Sequence, residues 1–276
     1  MGHNTIEEGE KILDKEFKVL NKGFVRLVDY LGSDERIVQS ARVSYGKGTK
    51  SYREDKKLIS YLLRNDHTSP FEQVVFTFHI KLPIFIARQW LRHRTARVNE
   101  ISGRYSVMNE EFYLPEADVI ALQSEDNKQG RKPEPVDEQT AERALLILEQ
   151  TYANIYREYK KLLDMGIARE LSRIVLPLGL FTEMYWQIDL HNLFHFLKLR
   201  MDEHAQKEIR DYAGVLFKIA SAVCPLACEA FRDYKLGGAQ FSKSETDAVR
   251  AIVNGNNNPL EGRTLELFQK KISGQT

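Results

Sequence analysis

Cysteine is almost missing from this chain: Cys224 and Cys228 are the two thiols among 276 residues. A scaffold stapled by disulfides is therefore excluded, and so few thiols suit a reducing compartment, so a cytoplasmic location is expected. An excess of charge of one sign is missing as well. Lys+Arg total 40 against 39 Asp+Glu, a formal net charge of +1. A general nucleic-acid binder is usually basic throughout, so no nucleic-acid partner is expected. No apolar run reaches the ~18 residues that would suggest a membrane-spanning helix, and the first residues lack a signal-peptide core. No membrane association is expected. A chain of this length forms one large domain or two small ones and buries roughly three quarters of its unfolded surface.

Arginine, by contrast, is concentrated. Arg88 to Tyr105 reads RQWLRHRTARVNEISGRY and holds five arginines: Arg88, Arg92, Arg94, Arg97 and Arg104. A guanidinium is permanently charged and presents its donors in a rigid fork that suits phosphate or carboxylate. Ser102-Gly103-Arg104 adds a hydroxyl, a backbone without a side chain and a cation. Trp90, Leu91 and Ile101 beside these charges favour an anion site over a solvated basic face.

The rest of the chain reads as alternating helices and short strands. Residues 1–20 are charged and read as a peripheral arm. Phe24 to Tyr30 reads as a strand, and Ser33-Asp34 as the cap of a helix through Ala41. A second helix covers Glu54 to Asn65. Phe71 to Leu82 alternates, with Val74, Phe76, Phe78 and Ile80 on one face, as in a half-buried antiparallel strand. Pro83 opens a helix to Leu91 that places Arg88 and Arg92 one turn apart. Glu111 to Leu114 reads as a short strand. Residues 120–139 read as a surface loop, followed by a long amphipathic helix from Thr140 to Met165. Ala168 to Leu176 forms a short helix closed by Pro177. Asp189 caps a helix from Leu190 to Met201, and Asp202 to Val223 forms another. Cys224 and Cys228 lie one turn apart in an apolar run and read as buried thiols. Residues 1–235 are expected to form a single catalytic domain, with 236–276 as a peripheral C-terminal tail.

Several residues admit two readings. His67-Thr68-Ser69-Pro70-Phe71-Glu72 is either a strand entrance or part of a site. His191 and His195 have the spacing of a metal pair, but Asn192 breaks the HExxH pattern, so no metal is expected. Arg173 and Arg200 sit among apolar residues and call for a buried anionic partner, either an internal carboxylate or a bound ligand. Ser102 with His93 as base would make a nucleophile, yet no G-x-S-x-G elbow surrounds it.

Arg92-His93-Arg94 followed after seven residues by Ser102 resembles the RHR-x7-S signature of flavin-dependent thymidylate synthases. The likeness continues through Asn99-Glu100 and Ser102-Gly103-Arg104-Tyr105 and extends from about Gly23 to Tyr234. It implies an α+β fold, a small antiparallel sheet flanked by helices. It also implies reductive methylation of dUMP to dTMP, with methylenetetrahydrofolate as one-carbon donor and FAD reduced by NADPH, in a homotetramer with shared active sites. By this resemblance the dUMP site holds Gln89, Arg92, Glu100, Ser102, Gly103, Arg104, Arg173 and Arg200, with Arg200 activating the pyrimidine ring. FAD falls to Ser44, His67, Ser69, Glu72, Arg92, His93, Arg94, Thr95, His191, His195 and His204. His67 also stands near the folate and the reacting methylene, which makes it, with Arg200, a catalytic candidate, and Tyr105 stacks near folate or nucleotide. Asp189, His191 and His195 depart from the amides and arginine that the family usually carries there. Asp189 would repel a flavin diphosphate.

Overall fold

The structure, a computed structural model, describes residues 5–43, 52–125 and 128–274. The chain opens with α1 (Glu7–Glu10), β1 (Glu16–Val19), β2 (Gly23–Leu31), α2 (Asp34–Ala41), α3 (Tyr52–Arg64), β3 (Val75–Pro83), α4 (Ile84–Trp90) and β4 (Arg97–Glu100). There follow β5 (Ala121–Gln123), β6 (Arg131–Pro135), α5 (Glu138–Asp164), α6 (Arg169–Ser172) and β7 (Phe181–Asp189). The last elements are α7 (Leu190–Arg200), α8 (Lys207–Val223), α9 (Pro225–Phe231), α10 (Lys243–Val253) and α11 (Gly262–Ser273). Contacts divide the chain into two compact units, Met1–Cys228 and Glu229–Thr276.

In the first unit β1, β2, β3, β7 and β4 form one sheet in that order, with every neighbouring pair antiparallel. The α+β architecture expected from the sequence is what the chain adopts. The central pair runs from Val75 opposite Asp189 to Pro83 opposite Phe181. Alternation along these strands separates two faces. Phe76, Phe78, Ile80 and Leu82 of β3 and Met184, Trp186 and Ile188 of β7 are buried. They face an aromatic core in which Trp186 lies 6.0 Å from Phe78 and 5.1 Å from Trp90, and Trp90 lies 4.5 Å from Phe196. The core thereby ties the sheet to α4 and α7. On the other face His79 bridges β2 and β7. Its Nδ1 meets Arg26 at 3.0 Å, its Nε2 meets Glu183 at 3.0 Å, and Tyr185 stacks on its ring at 4.9 Å.

Several sequence expectations need correction. The first twenty residues are not merely an arm, because β1 adds an edge strand to the sheet, with Val19 buried and Glu16 and Lys18 exposed. β3 starts at Val75, since Phe71–Gln73 forms a 3-10 turn that buries Phe71. Glu111 to Leu114 makes only an isolated bridge, Phe112 to Leu180. Residues 120–139 are not a bare loop: β5 and β6 pair there as a hairpin, and α5 already begins at Glu138, capped by Asp137. α8 begins at Lys207 rather than Asp202. Among the described residues no helix is long and apolar enough to cross a membrane.

Ser33 precedes α2 but makes no side-chain cap. The buried Asp34 instead accepts the backbone N–H groups of Leu226 at 2.8 Å and Ala227 at 3.0 Å, capping the first turn of α9. Burial raises its carboxyl to about 6, against the pull of those two donors. Cys224 and Cys228 are buried thiols, as their apolar setting implies. Behind the arginine stretch, Met108, Phe112, Tyr159 and Leu180 form a small cluster, and Tyr159 accepts the Met108 N–H at 3.1 Å. In the second unit a capping box of Ser242 and Glu245 starts α10. Lys271 of α11 pairs with Glu245 at 2.7 Å, and Phe241 packs on Phe268 at 6.0 Å.

Candidate active site

The arginine stretch begins on α4 and leaves it early. The helix stops at Trp90, and Arg92 and His93 follow in a turn whose N–H groups return to Gln89 and Trp90. Arg92 is therefore not on the helical face of Arg88, contrary to the expected one-turn spacing. Arg92, Arg94 and Thr95 are exposed, and His93 is half-buried. β4 then pairs with β7 and carries Glu100 to the sheet edge, where its carboxylate accepts the buried Thr182 hydroxyl at 2.6 Å. Ser102 opens a turn, with its carbonyl accepting the N–H groups of Tyr105 and Ser106 and its Oγ the N–H of Arg104 at 3.3 Å.

Two clusters bring distant segments together. In the first, Arg200 at the end of α7 donates from Nε to His93 Nε2 at 3.1 Å and from Nη2 to the Gln89 carbonyl at 3.5 Å. Both acceptors are neutral, so of the two anionic partners the sequence allowed, an internal carboxylate is not found beside Arg200 among the described residues. Gln89 in turn donates its amide to Gln206, the residue before α8. Burial, Arg200 and His195 push His93 down to about 4. In the second cluster Gly103 is buried against Arg173. A Cβ at Gly103 would lie 3.2 Å from Arg173 Cδ and 3.2 Å from Met108 Sδ. The missing side chain makes room for protein, not only for a ligand. Arg173 itself is exposed in the 3-10 turn Arg173–Val175, so the buried setting inferred from its apolar neighbours does not hold. Arg169 donates to the Tyr105 carbonyl at 2.7 Å, and Arg104 meets Glu170 at 3.5 Å.

The third expected segment, His67 to Glu72, lies against the start of α7. Phe71 packs 6.3 Å from Phe194, and the Leu190 N–H donates to the Val74 carbonyl at 2.8 Å. His67, Ser69 and Glu72 are exposed there, with Glu72 taking a 3.4 Å contact from Thr68. His191 is half-buried in the first turn of α7, and His195 is exposed one turn on, 5.8 Å from His93. Asp189 caps the helix, accepting the Asn192 N–H at 2.9 Å and its side-chain amide at 2.7 Å. Its carboxylate is thus satisfied by the helix start, where a negative charge is favoured. The repulsion expected between Asp189 and a diphosphate is reduced accordingly. His204 sits in the turn before α8 and pairs with Asp202 at 3.0 Å. Ser44 lies outside the described residues. No hydrogen bond joins Ser102 and His93 among the described residues: Ser102 Oγ accepts the Arg104 N–H, and His93 Nε2 accepts from Arg200. Sequence reasoning missed Gln206 and Thr182, and only the polar run after Arg200 signalled the former.

Three comparisons bear on this arrangement. The family model for thymidylate synthase complementing protein matches residues 26–226, and that for the thymidylate synthase ThyX C-terminal domain matches residues 239–275. A flavin-dependent thymidylate synthase of Treponema denticola is 63% identical over 260 residues, covering 94% of this chain and 98% of the relative. One from Treponema pallidum is 51% identical, covering 99% and 89%. Among solved structures, the UMP/dUMP methylase PolB from Streptomyces cacaoi bound with 5-Br dUMP superposes with a TM-score of 0.73 at 30% identity, over 80% of this chain and 99% of that one. With a family model spanning most of its length and relatives alike from end to end, the chain belongs to the flavin-dependent thymidylate synthase family.

Proposed function

We propose that the chain converts dUMP to dTMP, taking its one-carbon unit from methylenetetrahydrofolate and its reducing power from NADPH through FAD. The observation that carries this reading is the Arg200 cluster, which joins the RHR segment to the end of α7 in a chain so similar to named thymidylate synthases. The exposed Arg92, Arg94 and Arg104, with Arg173, supply cations for a nucleotide phosphate. Ser102 and the turn it opens supply hydroxyl and backbone donors. Holding dUMP in one pose replaces a random encounter with the methylene donor. Arg200 keeps a positive charge beside the pyrimidine, which stabilises the negative charge that develops as C5 becomes a nucleophile.

The donor set also suits a flavin. His67, Ser69 and Glu72 stand beside the α7 start, where Asp189 caps the helix, His191 lies in the first turn and His195 lies close to His93. These residues, with Arg92, Arg94, Thr95 and His204, would hold FAD, which when reduced supplies the hydride that completes the methyl group. We assign catalysis to residues 1–235 and no catalytic role to 236–276. The assembly is a homotetramer with shared sites. Leu171, Ile174 and Leu178 are 56%, 72% and 54% exposed around Arg173, an apolar surface that a neighbouring subunit could cover.

The test uses the purified full-length protein. It should carry or take up FAD, form dTMP only when dUMP, methylenetetrahydrofolate and NADPH are all present, and scatter light as a tetramer. A protein that takes up no FAD, or that forms no dTMP once loaded, would overturn the proposal.

A further inference from the structure

We infer that His93 is a positioning residue, a neutral hydrogen-bond acceptor that fixes the guanidinium of Arg200. The inference rests on the proposed role of Arg200 toward dUMP. The resemblance assigns His93 to the flavin, but its geometry gives it a second task. Arg200 donates from Nε to His93 Nε2 at 3.1 Å. A nitrogen that accepts from a guanidinium carries no proton, so the ring proton sits on Nδ1. The Nδ1–H edge is left for the flavin contact that the resemblance implies.

The ring is held where this requires. The His93 N–H donates to the Trp90 carbonyl at 3.0 Å. Its ring packs edge-on to Phe196 at 4.8 Å, and Phe196 is itself buried against Trp90 and Trp186. The ionisable groups that face the ring are Arg200 and His195, both on α7, and Gln89 of α4 is the polar neutral neighbour. Charge on either ionisable neighbour opposes protonation of His93, and burial acts in the same direction. The acceptor is thus preserved across the neutral range.

The second contact of Arg200, to the Gln89 carbonyl, is long at 3.5 Å. His93 is accordingly the main anchor of a side chain with many rotamers. With Nε and Nη2 turned to the protein, the Nη1 edge is left for the pyrimidine. Without the anchor the guanidinium can swing by about an ångström, a misplacement that costs about 100-fold in rate.

The test compares His93→Leu, which removes the acceptor, with His93→Gln, whose amide oxygen can still accept. Flavin content is measured by absorbance, dTMP formation by steady-state kinetics, and the wild-type ring by 15N NMR. His93→Leu should lower kcat about 100-fold per bound flavin with a smaller change in the KM for dUMP, and His93→Gln should recover at least about tenfold of that loss. The wild-type ring should be neutral with its proton on Nδ1 from pH 6 to 8 in the resonance pattern. A His93→Leu enzyme within about threefold of wild type per bound flavin would overturn the inference, as would a ring protonated at neutral pH. If the wild type itself makes no dTMP while the ring shows the expected tautomer, the proposed function fails instead.

Discussion

Replacing Arg200 with alanine is expected to lower dTMP formation about 1,000-fold while the protein still binds flavin. The magnitude follows from removing one preorganised charge from the place where negative charge develops, which typically costs 10²–10³-fold or somewhat more. Arg200 is suited to that task by where it stands. It is the last residue of α7 and half-buried; burial lowers its pKa, and a guanidinium nevertheless stays charged in proteins. Its two protein acceptors, His93 and the Gln89 carbonyl, carry no charge. A carboxylate partner would cancel the field that the pyrimidine needs, whereas neutral acceptors orient the guanidinium and leave its charge unspent. Arg200→Lys should recover little, because an ammonium cannot reach both acceptors and the substrate in one plane. The measurement is steady-state dTMP formation alongside flavin absorbance for wild type, Arg200→Ala and Arg200→Lys. Equal loss of flavin and turnover would contradict the assignment and move Arg200 to the cofactor.

Much of this arrangement is legible in the sequence, for physical reasons that also mark the limit. β3 is legible because its alternation of Phe76, Phe78 and Ile80 with Thr77, His79 and Lys81 reflects one buried and one half-exposed face. The Asp189 cap is legible because capping is a local event within three residues. β7 is less so: Phe181 to Asp189 alternates too, but its role depends on pairing with β3 and β4, which come far earlier in the chain. β1 looks like a charged arm because an edge strand needs little apolar surface. The arginine stretch announces an anion site from composition alone. Which arginine is buried does not follow from neighbours: Arg173 and Arg200 both sit among apolar residues, yet Ile174 is 72% exposed and the turn of Arg173 lies open. The Gln89–Gln206 bond joins residues 117 apart in sequence, and no local signal predicts such a contact.

The largest effect on folding is expected at Gly23. This residue begins β2, pairs with Val19 of β1 and is buried. A Cβ there would run into the Tyr212 hydroxyl and lie 2.7 Å from the Val19 carbonyl oxygen and 2.8 Å from that of Lys81. Two of these three obstacles are backbone atoms of the flanking strands, which cannot turn aside as a side chain can. The third is fully buried and donates its hydroxyl to the Lys81 carbonyl at 2.7 Å. Gly23→Ala should therefore both overpack the sheet edge and break that hydrogen bond. Together these cost roughly 3 kcal/mol or more, equivalent to a fall in Tm of roughly 6–12 °C for a domain of this size. The damage reaches toward the site, because Tyr212 packs edge-on to Trp90 at 6.0 Å, and Trp90 anchors the turn that holds His93. Thermal unfolding at fixed protein and FAD concentration measures the cost. Adding Tyr212→Phe removes the nearest obstacle and leaves both carbonyl oxygens, so the double variant should regain part of the loss relative to the sum of the single variants. A Gly23→Ala protein that melts within about one degree of wild type would show that the sheet edge yields, and that this glycine is not what lets α8 close onto β2 and β3.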